Sequence, residues 1–307
     1  MFALVKLASD NGSVHTNSTL VLPVILAAAI ASSALTQNVQ PPPACDNACL
    51  SKTMAAFLKA MTTGAAGSIP IAAAAEIREN GQMVSLGDSA WKSVKAIKSV
   101  MTFSDPVTGN VVSRAGVELA GGKPGYISTR LKVAAGGRIT DVELSSDTSA
   151  RVVADYVWNL DPLFSTVLPP DQRLSRVDLE ALARRYFHSL STHVAIGADF
   201  DDRCDRYHSG QRITNASSNA VESGPPRTCA GSLGGNPPWG PATEQRFPIL
   251  DVEHGVVVGI TLLHYPKLPN QPKMYVSEVF KVVGGKIVKI DNIGLMLQDV
   301  TTLGFSH

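Results

Sequence analysis

Gly136–Glu143 reads GGRITDVE and Gly284–Asp291 reads GGKIVKID: two glycines, a basic residue, then β-branched residues and an acid. Three segments in each half carry the same likeness further. Leu131-Lys132-Val133 and Phe280-Lys281-Val282 precede the double glycines in near register, with Gly137 and Gly285 lying 148 positions apart. Gly81-Gln82 corresponds to Gly210-Gln211, and the helix-like Met54–Met61 to Ala183–Leu190, both at an offset of 129. The offsets differ by 19, and Ser217–Pro241, rich in Gly, Pro and Ser, supplies an insertion of that order. One turn recurring by chance would not bring a helix, a second turn and a strand with it. The order points to a tandem repeat, which 307 residues with 44% hydrophobic content can fill with two cores.

The N-terminus and the cysteines point out of the cytosol. Leu20–Ala31 is an uncharged apolar run followed by Ser32-Ser33-Ala34, the length of a signal-peptide core and short for a membrane span, so residues 1–36 are expected to be a cleaved leader. Cys45, Cys49, Cys204 and Cys229 form an even set beyond it. Four cysteines allow three pairings; the spacing favours Cys45–Cys49 across one helical turn and Cys204–Cys229 across the insertion. Asn215-Ala216-Ser217 is a glycosylation acceptor. A net charge of +1 without a basic run gives no nucleic-acid surface. Clustered His/Cys spacing, a phosphate loop and a GxSxG elbow are missing, so neither a metal nor a cofactor is expected. Asp199, Asp201, Asp202 and Asp205 lack the glycine and distal Glu of a calcium loop and read as a solvated helix start.

Each unit opens on an amphipathic helix. In the second, Val177, Leu179, Leu182, Ala183, Tyr186 and Leu190 share a stripe. Strands follow at Val111–Leu119, Tyr126–Val133 and Ile139–Leu144, then at Arg246–Val252, Gly255–Tyr265, Met274–Val283 and Ile287–Ile293. Helix first and strands afterwards is an α+β pattern, and Asp251–Gly255 reads as a hairpin turn.

Cys45-Asp46-Asn47-Ala48-Cys49-Leu50, Glu79-Asn80-Gly81, Leu86-Gly87-Asp88 before Trp91, Asp105-Pro106 before Thr108-Gly109, and Phe280-Lys281-Val282 carry a resemblance. From Cys45 to Leu297 the chain resembles secreted fungal proteins with two cone-shaped units of the SnoaL-like type, similar to nuclear transport factor two and scytalone dehydratase. The resemblance implies a long helix and short helices on a curved antiparallel sheet, with domains at 45–150 and 174–300 packing as a pseudo-dimer. It also implies an apolar cavity inside each cone. The second unit departs from the pattern, with His208-Ser209 where the first has Glu79-Asn80.

Strand parity nominates the cavity residues. Ile260, Leu262 and His264 share a face of one strand, and Val276, Glu278 and Phe280 share a face of the next. His264 and Glu278, both on apolar faces, are the expected acid–base pair, with burial moving both toward neutral pH. Thr129 stands where the first unit would match Glu278. His208 and Arg206 enter the second unit's sheet beside Cys204, and Tyr186 faces it from the helix. Asp291 lies where SnoaL-like cyclases often keep an acid, although Glu143 matches it in the first unit. The expectation is a secreted, cofactor-independent cyclase, dehydratase or isomerase acting on a small apolar metabolite in its second unit. The alternative is a secreted protein that only binds a small molecule or a partner.

Overall fold

A computed structural model describes residues 45–215, 228–297 and 300–305. The expected leader at 1–36 and part of the insertion lie outside the described residues. The first half runs α1 (Asn47–Thr63), β1 (Ile71–Glu79), β2 (Gln82–Met83), β3 (Val94–Asp105), β4 (Asn110–Leu119), β5 (Pro124–Val133) and β6 (Ile139–Asp147). After the short α2 (Ala154–Val157), the second half runs α3 (Arg176–Thr192), β7 (Phe200–His208), β8 (Gln211–Arg212), β9 (Ala242–Asp251), β10 (Val256–His264), β11 (Lys273–Val283) and β12 (Lys286–Leu297).

Both sheets have six strands in one order, β2-β1-β6-β5-β4-β3 and β8-β7-β12-β11-β10-β9. Both are mixed rather than purely antiparallel, because β1 runs parallel to β6 and β7 parallel to β12. The turns singled out in the sequence hold equivalent places. Asn80-Gly81 and Ser209-Gly210 join the first long strand of each sheet to its short neighbour, and all four residues have positive φ. Gly136-Gly137 and Gly284-Gly285 do the same before the last strand. Positive φ at both central residues is what a tight hairpin demands, and Gly and Asn supply it at low cost.

The helices form for local reasons. Asp46 caps α1 by accepting from the Cys49 amide at 2.8 Å, and Ser175 caps α3 through the Asp178 amide. Leu50, Met54, Phe57 and Met61 bury one stripe of α1; Leu179, Leu182, Tyr186, Phe187 and Leu190 bury that of α3. Val177 is not part of it, being 76% exposed, because it lies two positions and about 200° from Leu179. Asp201, Asp202 and Asp205 lie in β7 rather than at a helix start, and Asp199 ends the single 3-10 turn before it: Asp199 pairs with Arg185 of α3 and Asp205 with Arg212 of β8. The disulfides are Cys45–Cys49 and Cys204–Cys229. Asn215 of the expected glycosylation acceptor donates from Nδ2 to the Cys204 carbonyl at 2.8 Å and to Asp205 at 3.2 Å, and the rest of that acceptor lies outside the described residues. Among the described residues no helix is long and apolar enough to cross a membrane.

Each helix covers one face of its own sheet, and the opposite faces of the two sheets meet. Met101, Phe103 and Val112 pack there against Ile249, Val256, Val258 and Val279. The buried polar groups cross over in a reciprocal way. Tyr126 on β5 donates to Asp291 on β12 at 2.8 Å, and Tyr275 on β11 donates to Glu143 on β6 at 2.9 Å. Glu143 also binds Arg130 at 2.7 Å and Arg246 at 2.6 Å. Asp105, from one of the sequence motifs, accepts from the Leu250 amide and pairs with Arg176, so that motif also ties the halves together.

Candidate functional site

Three side chains form a row across the second sheet. His208 on β7 pairs with Asn292 on β12, and Asn292 pairs with Glu278 on β11. All three point to the α3 side, because cross-strand partners share a face. They line a cavity of about 200 Å³ with Arg206, Leu263, Tyr265, Met274, Val276 and, from beyond the sheet, Leu190 of α3. Ser232 and Trp239 close it from the segment that Cys204–Cys229 tethers, and Arg151 stands at it from the stretch between the halves.

Glu278 is wholly buried, and its two oxygens differ. Oε1 accepts from Tyr186 Oη at 2.7 Å and from Asn292 Nδ2 at 3.0 Å, with Arg206 at 3.6 Å. Oε2 has no partner. Burial raises the carboxyl above its ordinary value, and Arg206 and the two hydrogen bonds offset only part of that. With Oε1 saturated by donors, a proton on this carboxyl belongs on Oε2. His208 carries the opposite shift. Burial, with Arg206 and Arg151 nearby, pushes it down from 6.5 to about 4 against the support of its bond to the Gly294 carbonyl. That partner is an acceptor, so Nε2 carries the hydrogen and Nδ1 is left basic. Two strands apart, the Cα atoms of His208 and Glu278 are separated by about 10 Å, room for one small molecule between a proton donor and a neutral base.

The site is partly the one nominated from sequence. Glu278, His208, Arg206 and Val276 line the cavity. Tyr186 serves it indirectly by holding Glu278, and Phe280 packs in the core against Tyr186 and Phe187. His264 does not meet Glu278. It pairs with Lys273, five positions along β10 from the partner of Glu278, and so faces the other side of the sheet, where its Nε2 lies 2.8 Å from Thr243 Oγ1. Ile260 and Leu262 share that side with Tyr275 and Leu303. Asp291 is between the sheets with Tyr126 and Tyr156. Asn292, Trp239 and Tyr265 were not nominated. Asn292 was legible in principle, by parity with Ile290 on the last strand; Trp239 was not, since nothing in a Gly/Pro-rich insertion shows where it folds back.

The first half fills the same row differently. Glu79 pairs with Leu144, and Leu144 with Thr129. Glu79 is bound to the Ala90 amide at 3.0 Å, a structural capping role. Acid, amide and histidine occur together only in the second row.

Residues 172–294 match the model of a domain of unknown function, DUF8021. No curated protein matches the chain. The matched segment runs from just before α3 into β12 and so contains most of the cavity wall.

Two consequences are measurable. Gly259 pairs with Glu278, and a Cβ there would meet the Phe187 ring at 2.8 Å. Gly259→Ala should cost about 1–3 kcal/mol by overpacking; an unchanged melting temperature would show that the Phe187 side yields freely. His208, neutral in the fold, makes stability fall on acidification. Below pH 6.5 the unfolded chain takes up a proton that the folded chain refuses until about pH 4. Between those values stability should drop by about 3 kcal/mol from this group. Urea titrations at both ends, compared with His208→Gln, isolate the effect, and equal losses in the two proteins would refute it.

Proposed function

We propose that the second unit is the working half of a secreted, SnoaL-like, cofactor-independent enzyme. It binds a small, largely apolar molecule and moves a proton on it, as a cyclase, dehydratase or isomerase does. The observation that carries this reading is Glu278: a buried carboxyl in the cavity lining with one oxygen saturated by donors and the other without a partner, across the row from a neutral histidine. Glu278 delivers a proton from Oε2 while His208 Nδ1 accepts one from the other end of the substrate. The apolar wall of Leu190, Leu263, Met274 and Val276 excludes water and fixes the pose. The first unit is a structural partner, and the reciprocal tyrosine–acid bonds support a pseudo-dimer of two cones. The two disulfides and the apolar N-terminal run support the secretory assignment.

The test is mass spectrometry of small molecules released when the purified protein is denatured. A stoichiometric compound that fresh protein converts to another of equal mass, or of one water less, supports the reading. A bound compound returned unchanged by fresh protein favours a binding protein, and an empty protein overturns both.

A further inference from the structure

Resting on that reading, a residue with no side chain fixes where the base stands. Gly294 lies on β12 two positions after Asn292 and so on the same face of the sheet. It is part of the extended strand and has no positive φ, so the backbone does not call for glycine there. Space does. A Cβ at Gly294 would meet Met274 Sδ at 2.8 Å, His208 Nε2 at 2.9 Å and Asn292 Oδ1 at 3.0 Å, and all three residues line the cavity. Met274 can swing aside, because its thioether stem adapts readily. His208 cannot, because Nε2 is held 3.2 Å from the carbonyl oxygen of Gly294 itself. The hydrogen bond that sets the tautomer and the space that admits the ring thus come from one residue.

The first unit shows the alternative. Glu79 stands at the place of His208 and Leu144 at that of Asn292, so Ser146 is the counterpart of Gly294. Ser146 Oγ donates to Glu79 Oε1, and its amide donates to Asn80 Oδ1 at 3.0 Å. The neighbouring strand carries the reverse exchange, with Gly125 where the second unit has Met274. We propose that Gly294 is a positioning residue for the proton transfer: by carrying no side chain it lets the His208 ring seat on its carbonyl, with Nε2–H bound and Nδ1 left as the base. A side chain at 294 makes the second row a structural one, like the first.

Proton and nitrogen NMR of the full secreted chain, labelled at histidine, tests this. The wild type should show a ring N–H signal, protected from solvent exchange, that disappears in His208→Gln. Gly294→Ala should lose the same signal, and its turnover of the compound released from the wild type should fall by about 10², as for a reacting group misplaced by about 1 Å. Combining Gly294→Ala with Met274→Ala separates positioning from packing. Removing the thioether relieves the tightest contact, so the melting temperature should recover while the N–H stays lost. Met274→Ala alone should keep the signal. The double variant carries the test by itself if Gly294→Ala does not fold. A wild type without the signal, or either Gly294 variant with it, would overturn the inference. So would its loss in Met274→Ala alone, which would make the thioether the seat of the ring. The N–H is read without a substrate, so a wild type that shows it and converts nothing ends the proton-transfer reading and leaves the seating of His208 in place.

Discussion

Glu278→Gln should lower turnover of the released compound by about 10² to 10⁴, the usual contribution of one general acid or base. Gln keeps the shape and the Oε1 acceptor that Tyr186 and Asn292 bind, but its second atom is an amide nitrogen with no proton to give up. The same change should raise stability at neutral pH. The buried carboxyl has a raised folded-state pKa, so its contribution to stability falls as pH rises above the ordinary 4.5, and Gln removes that loss. A variant that is less active yet more stable is the mark of a group kept for chemistry at the expense of the fold. His264→Ala is the control: it lies on the far face beside Thr243 and should leave turnover unchanged. If Glu278→Gln keeps full activity, or His264→Ala loses it, the assignment of the acid is wrong.

The second large effect is at the seam between the sheets, where matched positions behave in opposite ways. Burial alone would raise the Glu143 carboxyl, but Arg246 and Arg130 outweigh it and hold it down at about 2. Glu143→Gln takes the counter-charge from buried Arg246 and leaves buried Arg130 with only that of Asp141 at 3.7 Å, and should cost about 3–5 kcal/mol. Asp291, its counterpart, is shifted up by burial, with Tyr126 and Tyr156 as its hydrogen-bond donors. Asp291→Asn, which keeps an acceptor for those hydroxyls, should therefore be close to neutral in its effect. Urea denaturation of the two variants at pH 7 decides the matter, and equal costs would show that the two acids carry the same charge. The wild type carries a further signature. Glu143 stabilises fully above its ordinary pKa of 4.5, and that contribution, about 3 kcal/mol, is lost as pH falls toward 2.

Much of the fold was readable because its signals are local. The paired glycines need positive φ wherever they fold, and α1 and α3 show buried stripes at helical spacing. The first long strand of each sheet was not readable. Ile71–Glu79 holds a run of four alanines, and Phe200–His208 is mostly charged, because each lies toward a sheet edge and gains its place by pairing parallel to the last strand of its sheet. That pairing spans most of a unit and leaves no mark in nearby residues.

The site divides the same way. Alternation along β10 and β11 determined which residues share a face, and it put Glu278 with Val276 and Phe280 correctly. It did not determine which face holds the cavity, since both faces of the second sheet are apolar: one is covered by α3, the other by the first sheet. His264, Ile260, Leu262 and Asp291 were nominated on the face that the other sheet takes. Only tertiary packing breaks that tie, because a strand buried on both sides looks equally hydrophobic on each, and the solvent contrast that makes parity informative is gone.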